Sequence, residues 1–415
     1  MDSVERVFRL LNSQILERLK TRLIHLLLAK KVFHPFRHFN RYFQVVYDAT
    51  GVVSFDYKHC DCCTHKTAGS GNFILSSNCL ESLKTSGMPS VILEKLSLLG
   101  PLKVRGKNVF SEKVMMVLSD QEWVDYGELL IEHAGKTTWF HNVLEAKLVT
   151  SNGFSISLGS EWIANANSEY EKQDCERKAF VRLAERVKKE FSQLPVIAVA
   201  DGLYPHQGFF QICKDYQWKW VVVLKDGNLP SIWKKVHEAF ELDKAKQKRS
   251  VDQKQQQDYS YLNNLPYHNF TLNWVQCVET TFQTKKKEEK KVRFVYLTSF
   301  HVDHSNIENI IAIGRLRQKI ENEAFNIQKN HGYHLQHKFS RVSFNAMKNY
   351  YQCLQIAHLI NQLMELSNRF KSFVESSKKT LKFLWKCLFA FLIAEEIATG
   401  ILRAIKKERV QFRYL

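Results

Sequence analysis

Three acidic residues in three unlike settings carry the most chemistry in this chain. Asp48 closes the apolar run Phe43 to Tyr47 and precedes Ala49-Thr50-Gly51, and Asp201 closes Pro195 to Ala200 and precedes Gly202-Leu203-Tyr204. The third, Glu321, sits inside Arg315 to Phe325, a stretch with helical character. Carboxylates from separate segments can hold a pair of hard divalent cations. Two such ions about 3.5 to 4 Å apart deprotonate an attacking water or 3′-hydroxyl and stabilise the leaving oxygen of a phosphodiester. Singly, each acid is ordinary, because an Asp after a hydrophobic strand is often a turn or helix cap. Their order, strand then strand then helix, gives the set its weight. Glu323 lies two residues beyond Glu321 and would face another side of a helix, so only one of the two can join the pair.

A second constellation is the run His59-Cys60-Asp61-Cys62-Cys63-Thr64-His65, with Cys79 as a distant fourth ligand. Its soft ligands suit a structural Zn²⁺. Reduced, packed cysteines are the plainer reading, since tetrahedral sites join two separated ligand pairs and no second pair is evident. Cys175, Cys213, Cys353 and Cys387 fall in helical apolar patterns and read as core residues. Glu145 reads as a core-edge or structural acid and not a metal ligand, and His334 and His337 as surface, capping or phosphate-facing groups. No Gly-rich loop ending in Lys-Ser/Thr is present, which argues against nucleotide hydrolysis.

The elements that must position these residues alternate. Residues 4 to 31 place apolar side chains at helical spacing with Arg and Lys between them. Strand-like runs follow at Phe43 to Tyr47, Val143 to Val149, Phe154 to Leu158, Val196 to Ala200 and Trp218 to Leu224, with a helix over Cys175 to Phe191. This predicts an α/β architecture, a mixed sheet flanked by helices. Residues 66 to 137 interrupt it with a helix-like piece (Val91 to Leu99) and a strand-like one (Val114 to Leu118). Residues 227 to 291 interrupt it again: an amphipathic piece at Ile232 to Leu242, a polar tract Lys244 to Gln257, then strands at Phe270 to Val278 and Val292 to Leu297. The charged tract Thr284 to Lys291 reads as a hairpin tip that blunts a sheet edge or touches phosphate. From Val342 onward the pattern is helical and ends in the basic tail Arg403 to Arg413.

Sixty Lys plus Arg against forty-two Asp plus Glu give a net charge of +18 over 415 residues, an excess that favours a polyanionic partner. It is concentrated at the ends: +6 over residues 1 to 47 (nine basic, three acidic) and +8 over 341 to 415 (thirteen basic, five acidic). The nine cysteines are an odd number, mostly scattered, and no signal-peptide pattern is seen, which points to a reducing cytoplasm. Phe383 to Ala394 is apolar but interrupted by Lys386 and well short of the roughly 20 residues of a spanning helix, so it reads as a buried or subunit-facing helix and not as a membrane span.

Several strings together resemble one family. Trp139-Phe-His-Asn-Val-Leu-Glu-Ala-Lys147, Lys172-Gln-Asp-Cys-Glu176, Ala200-Asp-Gly-Leu-Tyr204, Lys225-Asp-Gly-Asn-Leu-Pro-Ser231, Ile320-Glu-Asn-Glu-Ala-Phe-Asn326 and Lys329-Asn-His-Gly-Tyr-His-Leu-Gln-His337 are similar, in order over most of residues 40 to 365, to bacterial insertion-sequence transposases of the IS-four-like branch of the DDE group. The resemblance implies a ribonuclease H-like catalytic core in which Asp48, Asp201 and Glu321 bind two Mg²⁺, with Mn²⁺ able to substitute. It also implies that Arg317 and Lys329 grip phosphates beside the cleaved bond. The expected organisation is a basic helical segment (1–40), a first part of the core (41–226, with 66–137 inserted), a β-rich insertion subdomain (227–291), a second part of the core with the Glu helix (292–345) and a basic helical C-terminal region (346–415). The implied activity is cleavage at element ends and strand transfer into target DNA, by a homodimer on double-stranded DNA in the bacterial cytoplasm. The chain departs from the family pattern at Gly314, where a Tyr is expected, and at Gln318, where an aromatic is common; both put base stacking in question. A catalytically inactive DNA-binding derivative, acting as inhibitor or architectural factor, is the rival reading, and a metal nuclease that does not join strands is a third.

Overall fold

In the computed structural model, residues 2–400 are described apart from 56–57, 68–71, 106, 135–136, 167–171, 253–254, 284–287, 337–342 and 395–399. His337, residues 284–287 of the 284–291 tract and the basic tail therefore lie outside the described residues. The strands in chain order are β1 (Phe43–Phe55), β2 (Thr64–Thr67), β3 (Asn72–Leu75), β4 (Leu102–Arg105), β5 (Thr137–Val149), β6 (Ser155–Ile163), β7 (Val196–Ala200), β8 (Lys219–Val223), β9 (Lys246–Asp252), β10 (Gln255–Tyr267), β11 (Phe270–Gln283) and β12 (Glu288–Thr298). The chain divides into two compact units, one of residues 1–48, 144–161 and 180–415 and the other of residues 49–143 and 162–179, so β1, β5 and β6 each contribute to both.

The larger unit is α/β, built on a mixed sheet in the order β6-β5-β1-β7-β8-β12-β11-β10-β9. β1, β7 and β8 are parallel, and β8, β12, β11, β10 and β9 pair antiparallel in succession. β7 reads Val-Ile-Ala-Val-Ala and is buried throughout, the continuous apolar run of a parallel strand covered on both faces. The helix Gln207–Asp215 joins β7 to β8 as a parallel crossover. On one face the helix Glu176–Glu190 buries Phe180, Leu183, Ala184 and Val187, with the Phe180 ring edge-on to Tyr47 at 5.0 Å. The other face carries the cluster of Val46, Val199, Val221, Val275 and Tyr296 beneath Ile307, Ile310, Ile311 and Ile313.

Two expectations change here. The polar tract Lys244 to Gln257 forms β9 and the start of β10, because an edge strand needs only backbone pairing and tolerates polar side chains on both faces. With β10 to β12, it extends the sheet from β8. Val114 to Leu118 is not a strand: Val114 ends the helix Lys107–Val114, and the buried pair Val114 and Leu118 is spaced four apart, a helical contact.

The smaller unit is mainly helical over residues 77–134, where helices Ser77–Thr85, Ser90–Ser97, Lys107–Val114 and Asp120–Ala134 surround the β3–β4 pair. Phe73, Leu75, Leu83, Leu96, Phe110 and Leu130 form its own core. No described helix is long and apolar enough to cross a membrane. The stretch Phe383 to Ala394, expected to be a buried or subunit-facing helix, falls in the helix Leu381–Ala394 and leaves Phe383, Phe389, Phe391 and Ile393 exposed, so the buried alternative does not hold within this chain.

Candidate functional site

The register of two parallel strands brings Asp48 and Asp201 side by side. Tyr47 pairs with Ala200 in the last step of the parallel register, and each Asp is the next residue, on strands about 4.8 Å apart. Asp201 follows the end of β7, whereas β1 runs on to Phe55, so Asp48 lies within its strand where the pairing with β7 stops and not at a strand end as its apolar run suggested. Both side chains are half-buried. Asp201 accepts a hydrogen bond from the Leu203 backbone N–H at 2.8 Å and lies 3.7 Å from the Lys225 ammonium. The turn-cap reading is therefore true of Asp201, and its second carboxylate oxygen faces a cation.

Glu321 lies on the segment following helix Ile307–Leu316. That segment is not a regular α-helix. The backbone turns at Arg317 and widens to π spacing over Ile320–Asn326 before a last α turn at Ile327–Asn330. In a regular α-helix Arg317, Glu321 and Lys329 would share one stripe at i to i+4 spacing, and i to i+5 spacing breaks that phase. Arg317 donates to Asp48 Oδ2 at 3.2 Å, so its ion pair is with the β1 acid and not with Glu321. Glu323 is taken by Lys319 at 3.4 Å. Glu321 is exposed and Lys329 half-buried. Carboxylate oxygens are the donors a hard divalent cation takes, so the pair Asp48 and Asp201 fits one. Among the described residues, the three acids are not gathered as closely as the His/Cys group below.

Beside these acids a cavity of about 370 Å³ is lined by Lys225, Asp226, Arg293, Tyr296, Arg317 and Gln318, among others. Lys225 and Arg293 were not singled out as site residues from the sequence. The signal for Lys225 was present, since it follows β8 much as Asp201 follows β7, and parallel neighbours present their carboxyl ends together. Arg293 pairs with Asp226 and covers the Trp233 ring at 5.5 Å. Gly314 has a packing reason: a Cβ there would come within 2.5 Å of the Tyr296 ring. Burial raises the Tyr296 hydroxyl to about 12 against the lowering pull of Arg315 and Arg317, so it stays a donor.

The Glu321 segment is anchored from behind by a buried polar network. Gln328 exchanges hydrogen bonds with Gln355 at 3.0 and 3.1 Å and contacts His358 at 3.0 Å. Gln355 accepts from Lys147 at 2.7 Å, Lys147 pairs with Glu145 at 3.4 Å, and Tyr351 donates to Glu145 at 2.9 Å. Lys20 donates to Ser157 at 2.8 Å nearby. Glu145 and Lys147 are fully buried. Burial lowers Lys147 to about 8 even with Glu145 opposing, and burial followed by Lys147 lowers His358 to about 3. Burial would raise Glu145, but Lys147 and Lys20 together hold it below the usual carboxylate range. Of the two readings of Glu145, core-edge or structural, the structural one holds: it is fully buried between Lys147 and Tyr351.

In the smaller unit, His59, Cys60, Cys63 and His141 bring one ligand atom each to within 4.8 Å of one another. The ligand set expected from the sequence is corrected: Cys62 and His65 stand outside the group, and His141 replaces them. The reason is register. Thr64 pairs with Phe140 in the antiparallel β2–β5 ladder, so Cys63 meets His141 one step further. Cys79 is buried in a separate helical core. Burial, then the Cys63 sulfur, push the Cys60 thiol up to about 12. Of the cysteines expected in helical cores, Cys213 is buried, Cys353 half-buried, and Cys175 and Cys387 exposed.

Comparison with protein-family profiles finds no match for the chain, and comparison with curated proteins finds none either.

Proposed function

We propose that this chain is a DDE-type DNA transposase with a ribonuclease H-like core, cutting at mobile-element ends and joining the free 3′-hydroxyl to target DNA. The observation that carries the reading is the Tyr47–Ala200 register, which sets Asp48 beside Asp201, each in contact with a cation, Arg317 and Lys225, that also lines the cavity. Parallel strand ends are where open α/β sheets bind ligands. Asp48, Asp201 and Glu321 would hold Mg²⁺, which when bound activates a hydroxyl and stabilises a leaving oxygen. The residues around them do the rest. Lys225, Arg317 and Lys329 attract and orient the phosphodiester, and Arg317 satisfies Asp48 while no substrate is bound. Tyr296 can donate a hydrogen bond at the cavity wall. The basic excess of the chain supplies sequence-independent grip on a DNA duplex, with two copies acting on two ends.

The second reading, an inactive DNA-binding derivative, is favoured by one contact: the Arg317 guanidinium already compensates Asp48. The test uses labelled DNA carrying inverted repeats from the flanks of the gene, with Mg²⁺ or Mn²⁺, comparing wild type with Asp201→Asn. Cutting and joining by wild type alone, with both proteins binding, is the expected result. Binding by both without cutting establishes the inactive derivative, and cutting without joining a nuclease on the same core.

A further inference from the structure

We propose that His59, Cys60, Cys63 and His141 form a structural zinc site of the Cys₂His₂ type, independent of Asp48 and Asp201. The distances among three of the four ligands are close to those that a tetrahedral ion imposes. With Zn–S about 2.3 Å and Zn–N about 2.05 Å at tetrahedral angles, the ligand edges are about 3.8 Å between sulfurs and about 3.6 Å from sulfur to nitrogen. Here the Cys60 and Cys63 sulfurs are 3.7 Å apart, and they lie 3.4 and 3.3 Å from His141 Nε2. The sulfur separation excludes a disulfide, whose S–S bond is about 2.05 Å. Thiol–imidazole hydrogen bonds alone would account for two of these contacts, but not for a fourth ligand, His59, drawn to within 4.8 Å of the rest.

The loop is built to hold such a set. Cys60 and Cys63 have the two-residue spacing of zinc-binding turns, closed by a hydrogen bond from the Cys63 N–H to the Cys60 carbonyl at 3.1 Å. Asn165 fixes the loop backbone from outside: its N–H reaches the Cys62 carbonyl at 3.1 Å and its side-chain amide donates to the Cys63 carbonyl at 2.7 Å. Phe55 stacks on the His59 ring at 4.4 Å, which orients the imidazole. Cys63 and His141 are fully buried. Four protein ligands leave no open coordination position, so the ion fastens the 59–63 loop to β5 and does no catalysis. Two sulfurs and two imidazoles select zinc over the hard cation proposed for the carboxylates.

The test is metal analysis of the full-length chain purified without chelators, followed by Co²⁺ exchange. About one zinc per chain is expected, and the Co²⁺ form should show sulfur-to-cobalt charge transfer with tetrahedral ligand-field bands. Cys63→Ser and His141→Ala should lose the ion, while Cys62→Ser and His65→Ala should keep it. Wild type carrying less than roughly a tenth of an equivalent, and showing no cobalt charge transfer, overturns the proposal, as does loss of metal from Cys62→Ser. The wild-type count needs no variant to fold, and either outcome leaves the DNA-cleavage reading untouched.

Discussion

Replacing Gly314 by Ala tests how tightly the Arg317-bearing helix is seated on the sheet. In an ordinary helix interior this change stabilises by about 1 kcal/mol, because Ala loses less backbone freedom on folding. Here the added methyl carbon would sit 2.5 Å from two atoms of the Tyr296 ring and 2.8 Å from a third. Unstrained carbon contacts lie at about 3.5 to 4.0 Å, so ring or helix must move by about 1 Å. The ring cannot recoil freely: Tyr296 is 4% exposed, and its strand is hydrogen-bonded to β11 on one side and β8 on the other. Overpacking of this kind costs about 1 to 3 kcal/mol, which offsets and exceeds the propensity gain. Gly314→Ala should therefore lower the urea midpoint of the unit that holds it, with a net loss of up to about 2 kcal/mol. Combining it with Tyr296→Leu should cost less than the two changes summed, since removing the ring makes room for the methyl. A midpoint that rises in Gly314→Ala refutes the argument, because it would mean that the ring is not where the helix needs a glycine.

Other expectations follow from the buried network and the cavity. Glu145→Gln leaves Lys20 and Lys147 buried without their counter-charge and should destabilise by about 3 to 5 kcal/mol in urea titration. A loss below about 1 kcal/mol would show that the lysines are neutral in the fold. His358 is held down to about 3 by burial and Lys147, against an ordinary value of 6.5. A group depressed in the fold contributes stability that is present above its unfolded value and is lost as pH falls. Unfolding midpoints should thus drop between pH 6.5 and 3, and His358→Gln should flatten that slope. Lys225→Ala should weaken DNA binding about equally across sequences and reduce the slope of log affinity against log salt by about 1. A change confined to one sequence would instead assign Lys225 to base recognition.

Much of the larger unit was readable because its strands are apolar strings with abrupt ends. Val196 to Ala200 is a strand from sequence and in the structure with the same bounds. The amphipathic stretch Cys175 to Phe191 matches the helix Glu176–Glu190 to within a residue at each end. What could not be read is what depends on pairing between distant segments. His141 is one histidine in an apolar strand until β2 is set against β5, and only that register places it beside Cys63. The polar β9 carries no periodic signal, being held by the backbone of β10. Gly314 reads as a departure from a family pattern, and its reason lies in a ring contributed by β12.

The π stretch at Ile320–Asn326 acts like a vernier between two fixed marks. Arg317 is pinned at one end by Asp48, and Gln328 at the other by Gln355 and His358. A π-bulge is one residue of slack in an α-helix, and each residue carries about 100° of rotation. The length of this segment therefore sets the compass bearing of Glu321 independently of where its two ends are tied. Deleting Asn322 would tighten the coil and swing the carboxylate to another quadrant while both moorings held, so at this position an indel retunes the site where a substitution would only reface it.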